Sequence, residues 1–439
     1  MSDYIYMLES HLSPDQNRAV EDTQAAAGLA NVNVFLTGGA MRDMLAGFRI
    51  RDLDFVVEGN ALKIAKAICD KTGAATVSTD ENRKTAELVF PSGVTVQIAM
   101  SRQDKYARAG AKPQVTPATI QEDLRGRDFT CNAIALSLNR ASRGLLLDPM
   151  NGLADIERKE LRAVSAYGFY DDPSRLLRLV RYGVRMGYTV EERTQMQIAN
   201  AREAEVEKHI PARALGEELK HISAEDSPTE IFKGLEAAGL LSLFSPALHT
   251  KLNLTGLARY ERAIAVLPDD ARWRAARFGT FLYCLTEKLT PKDRQALIKA
   301  TDMPKSDVDQ WQKIEARAKK LEAALRAPRV RKPSHVYHIV VAATPEDVLF
   351  VLYHCALKPV QERLRNHFQK YVLTVQEITP EEWATIEPKP GTPKYAKARE
   401  EFISEILNRK PKKPVEEEVP PPPPPAPEPV MGMGRRGGR

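Results

Sequence analysis

Two aspartates, Asp52 and Asp54, lie one residue apart in the segment Arg-Ile-Arg-Asp-Leu-Asp-Phe-Val-Val. Alternate residues of a β-strand point to the same face of a sheet, so a strand here would project both carboxylates together. Two carboxylates on a half-buried surface repel each other and are costly to desolvate, unless a divalent cation neutralises them. Ligation by oxygen atoms alone, with open coordination positions, suits Mg²⁺ that carries a nucleotide's phosphates. We therefore predict that Asp52 and Asp54 are catalytic residues that bind Mg²⁺.

A glycine-containing turn, Thr-Gly-Gly-Ala-Met-Arg-Asp, precedes this segment. Gly38 and Gly39 lack a Cβ, so their backbone N–H groups can approach phosphate oxygens closely, and Arg42 can add a bidentate clamp. Each pattern alone also fits a structural role, an ordinary strand-to-helix turn or a solvated strand end. The two patterns together favour nucleotidyl transfer.

The elements that position these residues are predicted from apolar periodicity. Strand-like segments are confined to roughly the first 150 residues, and a helix over 61–71 interrupts them, which predicts a small mixed α/β domain. From residue 172 to 409 the apolar spacing is helical throughout. The predicted strands cover residues 33–36, 53–57, 86–90, 94–99, 133–138 and 145–147.

Three further motifs follow in order along the chain: Glu-Asp-Leu-Arg-Gly-Arg-Asp-Phe-Thr-Cys-Asn-Ala from residue 122, Asp-Pro-Met-Asn-Gly-Leu-Ala-Asp from 148, and Asp-Asp-Pro-Ser-Arg from 171. Over residues 30–250 this order resembles the class II tRNA nucleotidyltransferases and their poly(A) polymerase relatives, in the DNA polymerase beta superfamily. The resemblance implies an α+β fold with a polymerase-beta-like head and an all-α neck, body and tail. The expected boundaries are 1–157 for the head, 158–222 for the neck, 223–330 for the body and 331–410 for the tail. Residues 411–439 are so rich in proline that we predict a disordered appendage there.

The same resemblance implies roles for individual residues. Asp52 and Asp54 would bind the metal, whereas Asp172 and Arg175 would read the base of the incoming nucleotide. The triphosphate and nucleotide contacts would come from Gly38, Gly39, Arg42, Arg127 and Asp128. Arg178 and Arg181 would extend the polar face toward triphosphate or RNA, although solvated charges fit these two positions equally well.

Base selection by Asp172 and Arg175 also follows from chemistry. Cytosine and adenine each present an exocyclic amine beside an unprotonated ring nitrogen, and a carboxylate with a guanidinium three residues away on a helix complements that pair. Uracil and guanine present the reverse order and would leave buried partners unpaired, at roughly 1–3 kcal/mol each. The structural alternative is that Asp172 caps a helix whose first residue is Pro173, a role that Asp171 is free to take instead.

Three positions bear on how far the resemblance extends. Gly126 stands where the family usually has a second arginine, and Gln97 where relatives often carry an acidic residue, so a third metal-binding carboxylate is not expected. Residues 103–121 correspond to a flexible loop that relatives adding only the two cytidines lack. Its presence argues against a purely CC-adding enzyme but does not separate complete CCA addition from A addition or polyadenylation.

Composition bounds the partners and the cellular compartment. The 439 residues carry a net charge of +6, and residues 313–332 hold eight Lys or Arg against two Glu, which suits a polyanion or a solvated helix face. The four cysteines show no zinc spacing, and no long apolar run is present, so we expect a cytoplasmic protein without membrane contact. The expected partners are tRNA, CTP and ATP, and no protein partner is inferable. The predicted activity is template-independent addition of CMP and AMP to tRNA 3′ ends; the alternatives are a poly(A) polymerase, an A-adding enzyme, or an inactive RNA-binding homologue.

Overall fold

A seven-stranded sheet organises the first part of the chain. The computed structural model describes residues 3–387 and 390–409. The strands of the main sheet lie in the order β3-β4-β5-β2-β1-β8-β9, and β2 and β5 run parallel while the other neighbours are antiparallel. The strands of the described residues are β1 (Val34–Thr37), β2 (Leu53–Val57), β3 (Ala75–Asp80), β4 (Thr85–Val89), β5 (Thr95–Met100), β6 (Arg102–Lys105), β7 (Gln114–Pro117), β8 (Ala135–Ser137), β9 (Leu146–Leu147), β10 (Glu160–Leu161) and β11 (Thr189–Val190).

Helices make up most of the remainder. They are α1 (Asp3–His11), α2 (Pro14–Leu29), α3 (Gly38–Leu45), α4 (Ala61–Thr72), α5 (Ile120–Arg125), α6 (Gly152–Arg158), α7 (Gly168–Asp171), α8 (Arg175–Met186), α9 (Glu192–Glu203), α10 (Ala212–Ala224), α11 (Pro228–Ala237), α12 (Leu248–Lys251), α13 (Leu254–Ile264), α14 (Ala271–Ala275), α15 (Arg277–Thr286), α16 (Pro291–Ala300), α17 (Lys305–Arg326), α18 (Pro333–Val341), α19 (Pro345–His354), α20 (Lys358–Asn366), α21 (Val372–Gln376), α22 (Pro380–Ala384) and α23 (Pro393–Asn408). Short 3₁₀ turns and one π-helical turn, His367–Tyr371, connect them. The predicted α+β class, a mixed sheet followed by helices, is confirmed.

The two faces of the central strand β2 have different surroundings. Leu53, Phe55 and Val57 are buried in the main core, which α2 and α4 share. Val56 packs on the opposite face in a second, smaller cluster with Phe35. Because side chains alternate along a strand, Asp54 belongs to this second face, as the sequence predicts.

Three features depart from the predicted elements. β3 was not predicted, because five of its six residues are exposed and show no apolar alternation. The segment 103–121 is not simply a loop: β6 and β7 pair within it as an antiparallel hairpin. Beyond residue 150 the fold is not purely helical. β10, which follows α6, pairs in parallel with β11, which follows α8, over two residues.

Buried ion pairs join the sheet domain to the helices that follow. Arg185 of α8 contacts Asp43 of α3 at 2.5 Å, and Arg51, just before β2, contacts Glu225 at 3.0 Å. Arg181 of α8 in turn pairs with Glu218 and Glu225. Such pairs are geometrically demanding, so they fix the orientation of α8 and of residues 49–52 against the rest of the molecule.

The expected domain boundaries stay a prediction, and the predicted proline-rich appendage lies outside the described residues. Among the described helices, no single one is long and apolar enough to cross a membrane. Only the bent pair Pro333–Val341 and Pro345–His354, with 119° between its helices, reaches that length and composition jointly.

Candidate active site

The glycine turn sits directly on the second aspartate. β1 ends at Thr37, and α3 begins at Gly38, whose φ of +62° lies in the left-handed region that favours glycine. The backbone N–H of Gly39 donates to Oδ2 of Asp54 at 3.0 Å. A Cβ on either glycine would lie 3.2 Å from the same oxygen, closer than side chains ordinarily approach. The structure thus brings together the two motifs that the sequence links only by order.

The charge of Asp54 is poorly compensated. Burial and, next, the neighbouring Asp52 raise the pKa of Asp54 to about 6, against the lowering effects of Arg127, the Gly39 N–H and Arg42. A carboxylate in this state gains from a cation placed beside it. Two carboxylates beside a glycine turn are a donor set that fits a divalent cation bound together with phosphates.

Asp52 lies one residue before β2 and is more open, with 58% of its side chain exposed. Its Oδ1 accepts a hydrogen bond from the Thr95 hydroxyl at 2.7 Å. Nη2 of Arg274, from α14, approaches the same oxygen at 3.9 Å. Neither partner was predicted: Thr95 begins the parallel strand β5, and Arg274 lies more than 200 residues downstream with no local signal.

Gln97 occupies the position on β5 directly beside Asp54 in the strand register, and its side chain is exposed. The amide is neutral, so it adds no third carboxylate to this face. Within residues 3–387 and 390–409, no group of three or more His, Cys, Asp or Glu side chains is arranged to hold a metal ion.

Arg127 and Asp128 follow α5 and point in different directions. Asp123 holds the Arg127 guanidinium at 2.7–2.8 Å, and Nη1 of Arg127 would lie 3.7 Å from a Cβ on Gly38. Arg127 therefore reaches the glycine turn, and its contact with an incoming nucleotide stays a prediction. Asp128 is buried and accepts hydrogen bonds from the Phe129 N–H and the Asn132 amide.

Arg42 lies beneath the glycine turn and is buried. Its Nε and Nη2 bond to Asp43 at 2.9 and 2.7 Å, its Nη1 donates to Asn132 at 2.8 Å, and its guanidinium stacks over the Tyr182 ring. All three nitrogens thus have protein partners, so the structure does not present Arg42 as the free bidentate clamp that the sequence suggests. Its positive charge still acts on Asp54.

The expected base-reading residues are linked through Arg178. Arg178 donates to Oδ2 of Asp172 and contacts Oδ2 of Asp128 at 3.2 Å, while Nε of Arg175 lies 4.0 Å from Asp172. Burial opposes ionisation of Asp172, but Arg178 and the Ser174 hydrogen bonds hold its pKa below the usual value. Arg175 donates from Nη1 and Nη2 to the carbonyls of Arg127 and Gly126 at 3.0 and 2.9 Å. The predicted acceptor and donor groups are therefore adjacent, and both are fixed by the protein.

The helix-cap alternative needs correction in detail. α8 begins at Arg175 with Ser174 as its N-terminal cap, so Pro173 is not its first residue. Oδ1 of Asp172 accepts from the Ser174 N–H and hydroxyl, which gives Asp172 a local structural role in the turn before the helix. Asp171 is the last residue of α7 and does not cap α8.

Arg181 is not brought to this group of residues. Its side chain is buried, Nε donates to Glu218 at 2.6 Å, and Nη1 donates to Glu225 at 3.3 Å. It is neither the solvated charge nor the nucleotide-facing residue that its helical spacing suggested. Its position is set by partners from α10 and the following turn.

The β6–β7 hairpin contacts the helical region at its tip. Burial and, next, the charge of Asp172 raise the pKa of Tyr106, which lies between the two strands of the hairpin. At the hairpin tip Gly110 has a φ of +66°, and a Cβ there would lie 1.9 Å from the carbonyl oxygen of His209. Only glycine allows this contact between the hairpin and the helical region.

Comparisons with known proteins bear on this arrangement. Residues 34–162 match the Poly A polymerase head domain family. An A-adding tRNA nucleotidyltransferase of Geobacter sulfurreducens is 26% identical over 92% of this chain and 46% of its own length. An A-adding tRNA nucleotidyltransferase of Halalkalibacterium halodurans is 34% identical over 54% of this chain and 56% of its own length. The chain thus spans about half the length of these relatives.

A solved structure, a CCA-adding enzyme in its apo form II, shares the fold with a TM-score of 0.54 and 23% identity, and the match covers 94% of this chain and 96% of that one. The likeness extends over both the sheet domain and the helical part. It supports the fold alone.

Proposed function

We propose that this chain is a member of the family of class II tRNA nucleotidyltransferases and poly(A) polymerases, and that it adds CMP and AMP from CTP and ATP to tRNA 3′ ends without a template. The observation that carries the proposal is the contact between the Gly39 N–H and Asp54, beside Asp52. This contact holds Asp54 against the glycine turn, and the proposal assigns the metal to the carboxylate pair and the phosphates to the turn. The groups that select a base, Asp172 and Arg175, are tied to the same region through Arg127.

Asp52 and Asp54 would hold Mg²⁺, which when bound lowers the pKa of the RNA 3′ hydroxyl and offsets charge on the leaving pyrophosphate. Backbone N–H groups of the glycine turn and the Arg127 guanidinium would orient the triphosphate, so that the hydroxyl attacks the α-phosphate in line. The RNA oxygen forms the new bond to phosphorus, and the bond to the β-phosphate oxygen breaks. No covalent intermediate with the protein is needed.

Base selection would use groups that the protein already holds in place. Asp172 is ionised, so it can accept from the exocyclic amine of cytosine or adenine. Arg175 is anchored through two backbone carbonyls, so its remaining N–H can donate toward an unprotonated ring nitrogen. Nε of Arg175 is buried without a hydrogen-bond partner, which is the donor that such a base would satisfy.

An A-adding specificity is the first alternative, prompted by the names of the two relatives reported above. A poly(A) polymerase is the second. The hairpin of residues 102–117 speaks against an enzyme that adds only the two cytidines, since such relatives lack the corresponding loop. An inactive RNA-binding homologue is the least favoured alternative, because a protein without catalysis has no need for Asp52 and Asp54 beside an intact glycine turn.

Sequencing of the 3′ ends made from three RNAs tests the proposal: a tRNA lacking CCA, a tRNA ending in CC, and an unrelated single-stranded RNA. With CTP, ATP and Mg²⁺, complete CCA on the first RNA supports the proposed activity. AMP added only to the tRNA ending in CC would indicate an A-adding enzyme, and long A tracts on all three a poly(A) polymerase. No product with the wild type under any condition would overturn the proposed function.

A further inference from the structure

A cleft of about 750 Å³ is lined by residues of α7, of the turn before it and of α9. Its walls include the side chains of Tyr167, Tyr170, Arg193, Met196, Gln197 and Asn200. None of these residues has a role in the proposed nucleotide site.

Two large side chains of the cleft are unusually exposed to solvent. Tyr167 is 71% exposed and Met196 is 56% exposed, although both are large enough to be buried in most proteins. The ring centroids of Tyr167 and Tyr170 lie 6.5 Å apart, and the ring planes are inclined at 62° to each other. One face of the Tyr167 ring therefore stays free. Exposed rings at one place are the surface on which unstacked nucleobases pack.

The polar groups of the cleft lack protein partners. In the part of the chain that the structure describes, the Arg193 guanidinium makes no ion pair and the Asn200 side chain makes no hydrogen bond. Oε1 of Gln197 is buried without a hydrogen-bond partner. An unsatisfied amide oxygen and a free guanidinium are groups that a ligand with amines and phosphates would satisfy.

Only one turn of helix separates the cleft from the base-reading residues. Asp171 borders the cleft and precedes Asp172 in the chain. Gly168 of the same turn lies under Arg175, where a Cβ would come 2.8 Å from its Nη1. A ligand in the cleft would therefore lie next to a nucleotide held by Asp172 and Arg175.

We propose that this cleft binds one or two unstacked bases of the single-stranded 3′ end of the RNA acceptor, with Tyr167 and Met196 stacking on a base and Arg193 contacting a phosphate. Gln197 and Asn200 supply hydrogen bonds to base edges. This inference rests on the proposed function, because only an RNA substrate would need its last bases held beside the incoming nucleotide. It assigns RNA, not the free nucleotide, to the cleft.

The test compares Tyr167→Ala with Tyr167→Phe in steady-state kinetics and in RNA binding. Because stacking on an aromatic ring strengthens binding of a base by about fivefold or more, we expect Tyr167→Ala to raise KM for tRNA by at least about fivefold and Tyr167→Phe to restore it. KM for CTP and ATP should stay within about twofold of the wild type. Arg193→Gln should weaken RNA binding and lower the slope of log Kd against log salt by about one. Tyr6→Ala, at an equally exposed tyrosine on α1, is the matched control and should change nothing.

A binding assay separates this inference from the proposed activity. A tRNA lacking CCA, with 2-aminopurine as its last base, should lose fluorescence on binding to the wild type but not to Tyr167→Ala. Unchanged KM and quenching in Tyr167→Ala, with an active wild type, would overturn the inference alone. A rise in KM for CTP or ATP instead would assign the cleft to the free nucleotide. A wild type that adds no nucleotide refutes the proposed function, whereas the quenching assay, which needs no turnover, still decides the cleft.

Discussion

Removing the charge of Asp52 or Asp54 without changing shape is the most direct test of the site. We expect Asp52→Asn and Asp54→Asn each to lower kcat by at least about 100-fold, because a divalent cation contributes several kcal/mol to such a transition state. Affinity for tRNA should change by less than about twofold. Single-turnover incorporation with Mg²⁺, beside an RNA-binding titration, measures both. Turnover above a few per cent would contradict the metal assignment, and Gln97→Ala, on the neighbouring strand, is the control that should stay within about threefold.

Asp54→Asn has a second, opposite effect on stability. The pKa of Asp54 is raised to about 6 from 3.8, so between these values the folded protein binds more protons than the unfolded chain. Stability of the metal-free protein therefore falls as pH rises through this window, and above it the ionised Asp54 is destabilising. At pH 7 without Mg²⁺, Asp54→Asn should consequently raise Tm. The gain in free energy of unfolding should be at most about 3 kcal/mol.

The base-reading residues give a prediction about selectivity. Replacing Arg175 with Ala should raise misincorporation of UTP and GTP relative to CTP and ATP by about tenfold, since one good hydrogen bond to a base edge is at stake. Asp172→Ala should also relax selectivity, and it should lower stability by about 0.5–2 kcal/mol because its bonds to Ser174 are lost. Relative kcat/KM for all four nucleotides, with Tm, checks both. A lowered Tm with unchanged selectivity among the four nucleotides would show that Asp172 has only a structural role.

The sequence predicts single residues well where the backbone itself dictates the residue type. Gly38 and Gly39 are predictable because a close approach to Asp54, and at Gly38 also a positive φ, excludes a Cβ. The aspartate pair is predictable because alternate residues of a strand point to the same face of the sheet. Arg42 and Arg181 received their predicted roles from side-chain type and from the family resemblance. Apart from Asp43, which neighbours Arg42 in the chain, the hydrogen-bond partners that bury these arginines are 37 to 90 residues away, so nothing local shows the burial.

The hairpin of β6 and β7 gives a prediction at the scale of an element. In Gly110→Ala a Cβ would meet the His209 carbonyl, so the hairpin tip must move. We expect AMP addition to a tRNA ending in CC to fall about tenfold, with CMP addition changed less than about threefold, because the family resemblance implies that this loop is needed for adding A and not for adding C. Gly93→Ala is the matched control: its φ of +85° carries the same backbone strain, but no atom lies within 4 Å of the new Cβ. Equal losses in the two variants would show that only backbone strain matters.

His367 gives a prediction about acid stability in the helical part. Its side chain is buried beside Tyr337 and Phe368, Nδ1 has no hydrogen-bond partner, and burial lowers its pKa to about 4 from 6.5. Between pH 4 and pH 6.5 the unfolded chain therefore binds a proton at His367 that the folded protein does not bind. The stabilising contribution is complete above pH 6.5 and is lost as pH falls toward 4. At pH 5 the free energy of unfolding has fallen by about 2 kcal/mol.

His367→Phe should keep the aromatic packing and remove this sensitivity. The difference in Tm between pH 7 and pH 5 should shrink in the variant, while Tm at pH 7 changes little. His11→Phe, at an exposed histidine, is the control. A variant whose Tm falls equally at both pH values would show that His367 contributes packing and not a titratable group.

Elements were predictable where burial follows a period. β2 and α4 match the predicted bounds to within a residue, because apolar residues recur at the spacing of each element. β3, β6 and β7 have mostly exposed or half-buried residues, so pairing with a neighbour and not their own pattern makes them strands. The pair β10 and β11 is held by contacts between segments nearly 30 residues apart, which a local window does not include.

At the scale of the whole molecule, charged side chains form a continuous path between the parts of the site. Asp172, Arg178, Asp128, Asn132, Arg42, Asp43, Arg185 and Glu225 are linked in that order. The path passes from the base-reading residues beneath the glycine turn to α8 and the body. Each of these links is directional, so together they hold the base-reading residues, Arg42 and the end of α10 in fixed relative positions.

Arg274 connects the helical part of the chain to Asp52, one of the two carboxylates proposed to bind the metal. Its side chain is only 10% exposed, its Nη1 bonds to Asp269 at 2.6 Å, and its Nη2 donates to the Arg51 carbonyl at 3.2 Å and lies 3.9 Å from Asp52. Arg274→Ala releases residues 51 and 52 from α14, so we expect kcat to fall about fivefold while KM for tRNA stays within about twofold. Arg272→Ala, two residues earlier on the same short helix and exposed, should leave kcat unchanged.

Kinetics and melting together decide whether Arg274 positions Asp52 or only joins two parts of the chain. A structural link alone would lower Tm and leave kcat at saturating Mg²⁺ intact. Positioning predicts a lower kcat at every Mg²⁺ concentration, because the loop that carries Asp52 is no longer held against α14. Arg274→Lys keeps the charge but cannot bridge Asp269, Arg51 and Asp52 with one planar group, so it should recover less than half of the lost kcat. Full recovery by lysine would show that the positive charge near Asp52 matters and the geometry does not.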